Sequence, residues 1–111
     1  MPGYVLVCGE IAEGGISQTT LELLGIGDRL KRDLGVGLSV VLIGDEISQA
    51  SEDIAFFGPD KVWKIDNPLF KDFHPDIWLD ALEKLYKEVK PSVLLMGHTS
   101  TWIDIAPKLA F

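Results

Sequence analysis

Four short, largely apolar segments recur along the chain, and a longer polar or amphipathic stretch separates each from the next. They are YVLVC (Tyr4–Cys8), LSVVLI (Leu38–Ile43), KVWKI (Lys61–Ile65) and SVLLM (Ser92–Met96). Three of them are almost continuously apolar, which is typical of strands that are buried on both faces of a parallel sheet. KVWKI alternates between polar and apolar residues, which is typical of a shorter strand at the edge of a sheet.

The stretches between these strands carry the signals of helices. Helices are predicted over Gln18–Leu34, over Ile47–Phe57, from Pro75 to the residue before Pro91, and from near Trp102. Ser17 is the expected N-cap of the first helix, and Gly35 is expected to close it in a left-handed conformation. Gly25 and Gly27 inside this helix each cost about 1 kcal/mol relative to Ala. We therefore expect both to lie where the helix packs closely on the sheet.

The alternation of strands and helices predicts a single α/β domain over residues 1–111, with a three-layer, Rossmann-like arrangement around a parallel sheet. Right-handed crossovers place helices on both faces of the sheet, and the strand order that we expect is 3-2-1-4. This order places a crevice between the carboxyl ends of the first and fourth strands, where sheets of this kind bind ligands. Because the sequence stops at Phe111, inside a predicted helix, we expect the chain to be a fragment that is truncated at its C-terminus.

Composition and charge disfavour several classes of function. The 111 residues include 17 acidic and 10 basic side chains, which give a formal net charge of −7. Such an acidic chain is an unsuitable partner for nucleic acid, because phosphates require a basic surface. No apolar stretch approaches the roughly 20 residues that cross a bilayer, so no membrane insertion is expected. The chain has one cysteine and no recognisable presequence, so we expect a reducing bacterial or archaeal cytoplasm.

The loop after the fourth strand is the candidate ligand site. It consists of Gly97, His98, Thr99, Ser100 and Thr101, and it precedes the last predicted helix. Hydroxyl groups and backbone amides at a helix N-terminus can bind an anion such as a phosphate or an adenylate. The alternative is that Ser100 or Thr101 only caps the helix. Capping is favoured, because the chain contains neither of the glycine-rich phosphate motifs GxGxxG and GxxxxGK[ST].

Other reactive side chains give weaker signals. The two histidines, His74 and His98, are far apart in sequence, so no metal site is expected. Glu10 and Glu13 lie in a predicted loop beside the same crevice, where they are expected to be solvated and would repel a phosphate. Cys8 ends an apolar strand and is expected to be a small buried side chain rather than a nucleophile. No catalytic residue is predicted.

Three segments resemble one protein family in their order and spacing. They are LVCGEIAEGGISQTTLELLG (Leu6–Gly25), FFGPDKVWKIDNP (Phe56–Pro68), and KPSVLLMGHTST with DIAPKLA (Lys90–Ala110). Together they resemble the N-terminal domain of the α subunit of electron-transfer flavoproteins. One departure concerns the candidate loop. The family usually has Gly-Arg-Asp where this chain has Trp102-Ile103-Asp104, and that difference speaks against anion binding there.

The resemblance implies a role in electron transfer and a fold of the adenine-nucleotide α-hydrolase-like group. In that family the α subunit pairs with a β subunit, and the heterodimer carries electrons from dehydrogenases to an acceptor. FAD is held mainly by a C-terminal domain of the α subunit, and this sequence does not match that domain. The resemblance therefore implies a non-catalytic scaffold domain that docks the β subunit and does not bind FAD on its own.

Two other hypotheses stay open at this point. The chain could be a stand-alone adenine-nucleotide-binding domain of the universal-stress-protein type, with the nucleotide at residues 97–101. That class usually has a longer glycine-rich phosphate loop, which this sequence lacks. The other hypothesis is a small enzyme that uses Cys8 or His98, and it is the weakest because neither residue has a partner at a spacing typical of an activated nucleophile.

Overall fold

The structure, a computed structural model, describes residues 4–12, 15–71 and 75–96. These residues form a parallel sheet with helices on both faces. The elements in chain order are β1 (Tyr4–Cys8), β2 (Ile11–Ala12), β3 (Gly15–Ile16), α1 (Gln18–Leu34), β4 (Gly37–Gly44), α2 (Ser48–Ala55), β5 (Lys61–Asp66), a short 3-10 helix (Pro68–Phe70), α3 (Pro75–Val89) and β6 (Val93–Met96).

Four strands form one sheet in the order β5-β4-β1-β6, and all of its pairings are parallel. Counted as the four predicted strands, this is the predicted order 3-2-1-4. Val5 of β1 lies opposite Leu38 on one side and Val93 on the other, so β1 occupies a central position. Among the described residues β5 pairs with β4 alone, which confirms that KVWKI is an edge strand.

Both faces of the central strands are buried, which explains why their sequences are almost continuously apolar. Alternate residues of a strand point to opposite faces. One face packs against α1 and α2 in a cluster of Val5, Val7, Leu24, Leu38, Val40, Leu42, Ile47, Ala50 and Ile54. The other packs against α3 in a cluster of Leu6, Cys8, Val41, Ile43, Phe70, Leu82 and Leu85. The predicted α/β architecture of three layers is confirmed.

The predicted caps of α1 are confirmed, whereas the second predicted helix differs from α2 in its length. In α1, Ser17 Oγ accepts a hydrogen bond from the Thr20 N–H at 3.2 Å, and Gly35 has φ 67°. The predicted helix Ile47–Phe57 was too long, since α2 covers only Ser48–Ala55. The N–H groups of Phe56 and Phe57 bond three residues back, at 3.2 and 3.1 Å, and this tighter turn ends the helix.

Two predicted loops contain short regular elements. The stretch Glu10–Gly15 was predicted as a loop, but the structure places the antiparallel pair β2–β3 there. The predicted loop Asp66–His74 contains the 3-10 helix, whose start is capped by the Asn67 side chain at 3.0 Å from the Leu69 N–H. Elements of two or three residues carry too few positions for a periodic pattern. The helix predicted from near Trp102 lies outside the described residues.

The two glycines inside α1 have different surroundings. A Cβ atom at Gly27 would lie 2.9 Å from Leu38 Cδ1 and 3.3 Å from Val7 Cγ2, both in the buried core. A Cβ atom at Gly25 would have no neighbour within 4 Å. The expectation of close packing on the sheet is therefore confirmed for Gly27 and wrong for Gly25.

We expect Gly27→Ala to be less stable than Gly25→Ala by about 1–3 kcal/mol, the usual cost of overpacking a core. Both variants gain the same helix propensity, at most about 1 kcal/mol, so the difference between them isolates the contact with the sheet. Urea unfolding followed by circular dichroism measures the free energy of unfolding of each. Equal stabilities would contradict the close approach of α1 to β1 and β4.

Candidate functional site

A cavity of about 250 Å³ lies at the carboxyl ends of β1 and β4, and we call it the carboxyl-edge cavity. Its walls come from the loops after these two strands, from the end of the 3-10 helix and from α3. The polar and aromatic residues among them are Glu10, Asp45, Lys71, Phe70 and Trp78. The sequence predicted a crevice between the first and fourth strands. The loop after β1 does line a cavity, but among the described residues the facing wall belongs to β4 rather than β6.

The loop after β1 is held against β4 by its glycine. The Gly9 N–H donates to the Val41 carbonyl at 2.9 Å, which extends the pairing of the two strands by one residue. A Cβ atom at Gly9 would lie 2.6 Å from Leu42 Cδ2 and 3.3 Å from that same carbonyl oxygen. Only glycine fits this approach without displacing the core, so the floor of the cavity has a fixed shape.

Thr20 of α1 fixes the next residue of that loop. Its side chain is buried, and its Oγ1 accepts from the Glu10 N–H at 2.8 Å and donates to the Glu10 carbonyl at 3.2 Å. The Ser17 hydroxyl lies 2.9 Å from the same oxygen. A threonine hydroxyl has one proton and two lone pairs, and this arrangement uses all of them. The backbone of Glu10 is thereby fully bonded within the domain.

Side chains of the protein bond several backbone amides near the helix N-termini beside the cavity. Ser17 caps α1. Before α2, Asp66 Oδ1 accepts from the Glu46 N–H at 2.9 Å and Oδ2 accepts from the Ile47 N–H at 3.2 Å. Free backbone amides of this kind are what binds a phosphate at a helix N-terminus. These amides and that of Glu10 already have acceptors within the domain, so they are not free to bind an anion.

The half-buried side chain of Glu10 is part of the lining of the cavity. Its Oε2 atom is shielded from solvent and has no hydrogen-bond donor among the described residues. Asp45 adds a second carboxylate to the lining, against the single ammonium group of Lys71. Neither carboxylate forms an ion pair with Lys71 in the described structure. The charge balance therefore favours a ligand that donates hydrogen bonds over one that accepts them.

The remaining candidates are placed as follows. Cys8 is 1% exposed, and burial raises the pKa of its thiol far above the usual range, so the expectation of an unreactive core residue is confirmed. The described residues contain no group of three side chains that could hold a metal ion. Within the same ranges, no helix is long and apolar enough to span a bilayer. The candidate loop Gly97–Thr101 lies outside the described residues, and its ligand-binding role stays a prediction. His74 and Glu13 also lie outside the described residues.

Sequence analysis did not identify Thr20, Phe70 and Trp78 as residues that shape this site. Thr20 lies on the same helical stripe as Leu24 and Gly27, at steps of four and three residues, and a polar residue on a buried stripe is a signal that could have been noticed. Phe70 and Trp78 reach the cavity from other elements, and their rings meet edge to face at 5.8 Å between centroids. No local pattern indicates that contact.

Comparison with known proteins finds matches to one protein family. The model of the electron transfer flavoprotein domain matches residues 5–111. The electron transfer flavoprotein subunit alpha of Thermoanaerobacterium thermosaccharolyticum is 34% identical over 96% of this chain, and that of Clostridium acetobutylicum is 36% identical over the same share. These matches cover 32% of each relative, so the chain spans about a third of the length of the curated relatives it matches.

Among solved structures, the fold is similar to that of a universal stress protein from Archaeoglobus fulgidus in complex with dAMP. The TM-score is 0.60 at 18% identity, and the alignment covers 96% of this chain and 90% of that protein. At this level of identity the similarity concerns the fold alone. It agrees with the Rossmann-like class that the sequence predicted.

We expect Thr20→Val to destabilise the domain by about 1–3 kcal/mol, because valine keeps the shape but leaves the Glu10 N–H without an acceptor. Thr19→Val is the matched control, because it is the same substitution one position away. In the described structure no hydrogen bond joins Thr19 to this loop. Urea unfolding and hydrogen exchange of the Glu10 amide report the change. Equal stability and equal protection in the two variants would refute the role assigned to Thr20.

Proposed function

The chain belongs to the electron transfer flavoprotein family, and from that premise we propose that residues 1–111 are the N-terminal domain of an α subunit. The observation that carries the proposal is the pattern of coverage. Relatives named as α subunits match 96% of this chain with only about a third of their own length. The rest of such a subunit is long enough for at least one further domain.

The carboxyl-edge cavity does not fit FAD. A flavin dinucleotide carries two ring systems and a diphosphate, whereas the carboxyl-edge cavity holds about 250 Å³, below the range of about 300–1,000 Å³ that is typical of small-molecule sites. The amides that could bind the diphosphate are already bonded to Ser17, Thr20 and Asp66. We therefore assign FAD to the part of the α subunit outside this chain.

The role that remains for this domain is that of a scaffold in an electron carrier. We propose that it docks the β subunit of the flavoprotein and that electrons pass between dehydrogenases and an acceptor through the FAD of the intact complex. No residue of this chain is assigned a catalytic step. A cytoplasmic location is proposed with it, and the free, buried thiol of Cys8 is compatible with a reducing compartment.

The second candidate is an adenine-nucleotide-binding domain, as suggested by the dAMP complex of the structurally similar stress protein. Two features of the described site make it the weaker candidate. The amides of Glu10, Thr20, Glu46 and Ile47 have internal acceptors, and the carboxylates of Glu10 and Asp45 line the cavity. Nucleotide binding here would place negative charge beside negative charge.

We expect the purified 111-residue chain to release neither flavin nor adenine when it is denatured and the supernatant is examined by absorption spectroscopy. The control is an α subunit of full length, purified with its β subunit and treated identically, which should release FAD. Adenine without flavin would favour the nucleotide-binding alternative. Flavin released from the short chain would contradict the assignment of FAD to the rest of the subunit.

A further inference from the structure

The edge strand β5 buries little apolar surface. None of its six residues is buried, whereas seven of the eight residues of β4 are. Val62, Trp63 and Ile65 are half-buried, and the other residues of β5 are exposed. Among the described residues, only β4 pairs with β5. Burial of side chains therefore contributes less to the attachment of β5 than to that of the central strands, and polar contacts have to contribute more.

Asp60 attaches the start of β5 to the start of β4. Its N–H donates to the Leu38 carbonyl at 2.8 Å, and its Oδ2 accepts from the Leu38 N–H at 2.7 Å. The Lys31 ammonium group lies 3.1 Å from the same oxygen, so the last turn of α1 is joined to this point as well. The hydrogen bond from Leu38 and the contact with Lys31 hold the pKa of the Asp60 carboxyl below its usual range. The acceptor is therefore a charged carboxylate at neutral pH.

Asp66 attaches the other end of β5. It lies opposite Gly44, the last residue of β4. Its Oδ1 accepts from the Glu46 N–H at 2.9 Å, and its Oδ2 accepts from the Ile47 N–H at 3.2 Å. The next residue, Asn67, donates its N–H to the Gly44 carbonyl at 3.0 Å. Glu46 has φ 54°, a left-handed conformation that is uncommon for a residue with a side chain, and the bond to Asp66 stabilises it.

The two aspartates flank the paired part of β5, in which Ser39 lies opposite Lys61 and Gly44 opposite Asp66. A slip of one residue would turn the half-buried side chains to the other face of the sheet and break the contacts at both ends. We propose that Asp60 and Asp66 form a two-point clasp that holds β5 on β4, and that β5 opens from β4 as one unit when the clasp is released. Opening would expose the backbone edge of β4, and an apolar edge of this kind pairs readily with other chains.

Hydrogen exchange of the ¹⁵N-labelled 111-residue chain, followed by NMR, measures this opening. The protected amides of β5 are compared with those of β1, which has a paired strand on each side. Amides that become exposed in one local opening share its free energy. We therefore expect similar protection factors along β5, at least about 10-fold lower than those of β1. Protection in β5 equal to that in β1 would overturn the proposal, and this result requires no variant.

Alanine variants test the two ends of the clasp. Asp60→Ala and Asp66→Ala each remove hydrogen bonds to a charged acceptor, so we expect each to speed the exchange of the protected β5 amides about 10-fold. The effect should be the same at the far end of the strand as at the near end. Asp28→Ala is the matched control, because Asp28 forms an exposed ion pair with Arg32 within α1, and it should change the exchange of β5 by no more than about 2-fold.

Two outcomes would overturn the clasp. One is acceleration that is confined to the end of β5 beside the substituted residue, and the other is acceleration no greater than in the control. Asp60→Asn and Asp66→Asn keep the size of the side chain and one acceptor oxygen, so they provide the measurement if an alanine variant does not fold. We expect them to speed exchange along the whole of β5 by less than alanine does, and unchanged exchange in both would also overturn the proposal.

Discussion

Both faces of β1 and β4 have to be covered by helices, because these two strands lie in the middle of a parallel sheet. Val5 and Val7 pack on one side and Leu6 and Cys8 on the other. This double burial fixes the register of the two strands, and the register fixes where their loops emerge. The carboxyl-edge cavity exists because the loops after β1 and β4 leave the sheet side by side.

Side chains of the domain bond several backbone groups of these loops. Thr20 bonds the backbone of Glu10, Ser17 caps α1, and Asp66 bonds the two amides before α2. The fold is similar to that of a stress protein solved with dAMP. In this domain Glu10 and Asp45 add two carboxylates to the lining of the cavity.

The sequence predicts the parts of this structure that depend on local pattern. The apolar runs identified the strands, the expected strand order was confirmed, and Ser17 and Gly35 marked both ends of α1. The different roles of Gly25 and Gly27 could not be separated, because they depend on which side of α1 touches Leu38 and Val7. The cavity walls also escaped prediction, since Phe70 and Trp78 line the cavity together with Glu10 from elements that are distant in sequence. The family resemblance, by contrast, could be recognised from the sequence, because it lies in continuous segments that contain the strands and turns.

Docking of a β subunit onto this domain is the step on which the proposed role depends. Hydrogen exchange followed by mass spectrometry can measure it in the α subunit that carries this domain, alone and after addition of the β subunit. We predict that peptides from residues 1–111 become protected when the β subunit is added. Protection confined to the rest of the α subunit, with exchange in residues 1–111 unchanged, would contradict the assignment of this domain as a docking scaffold.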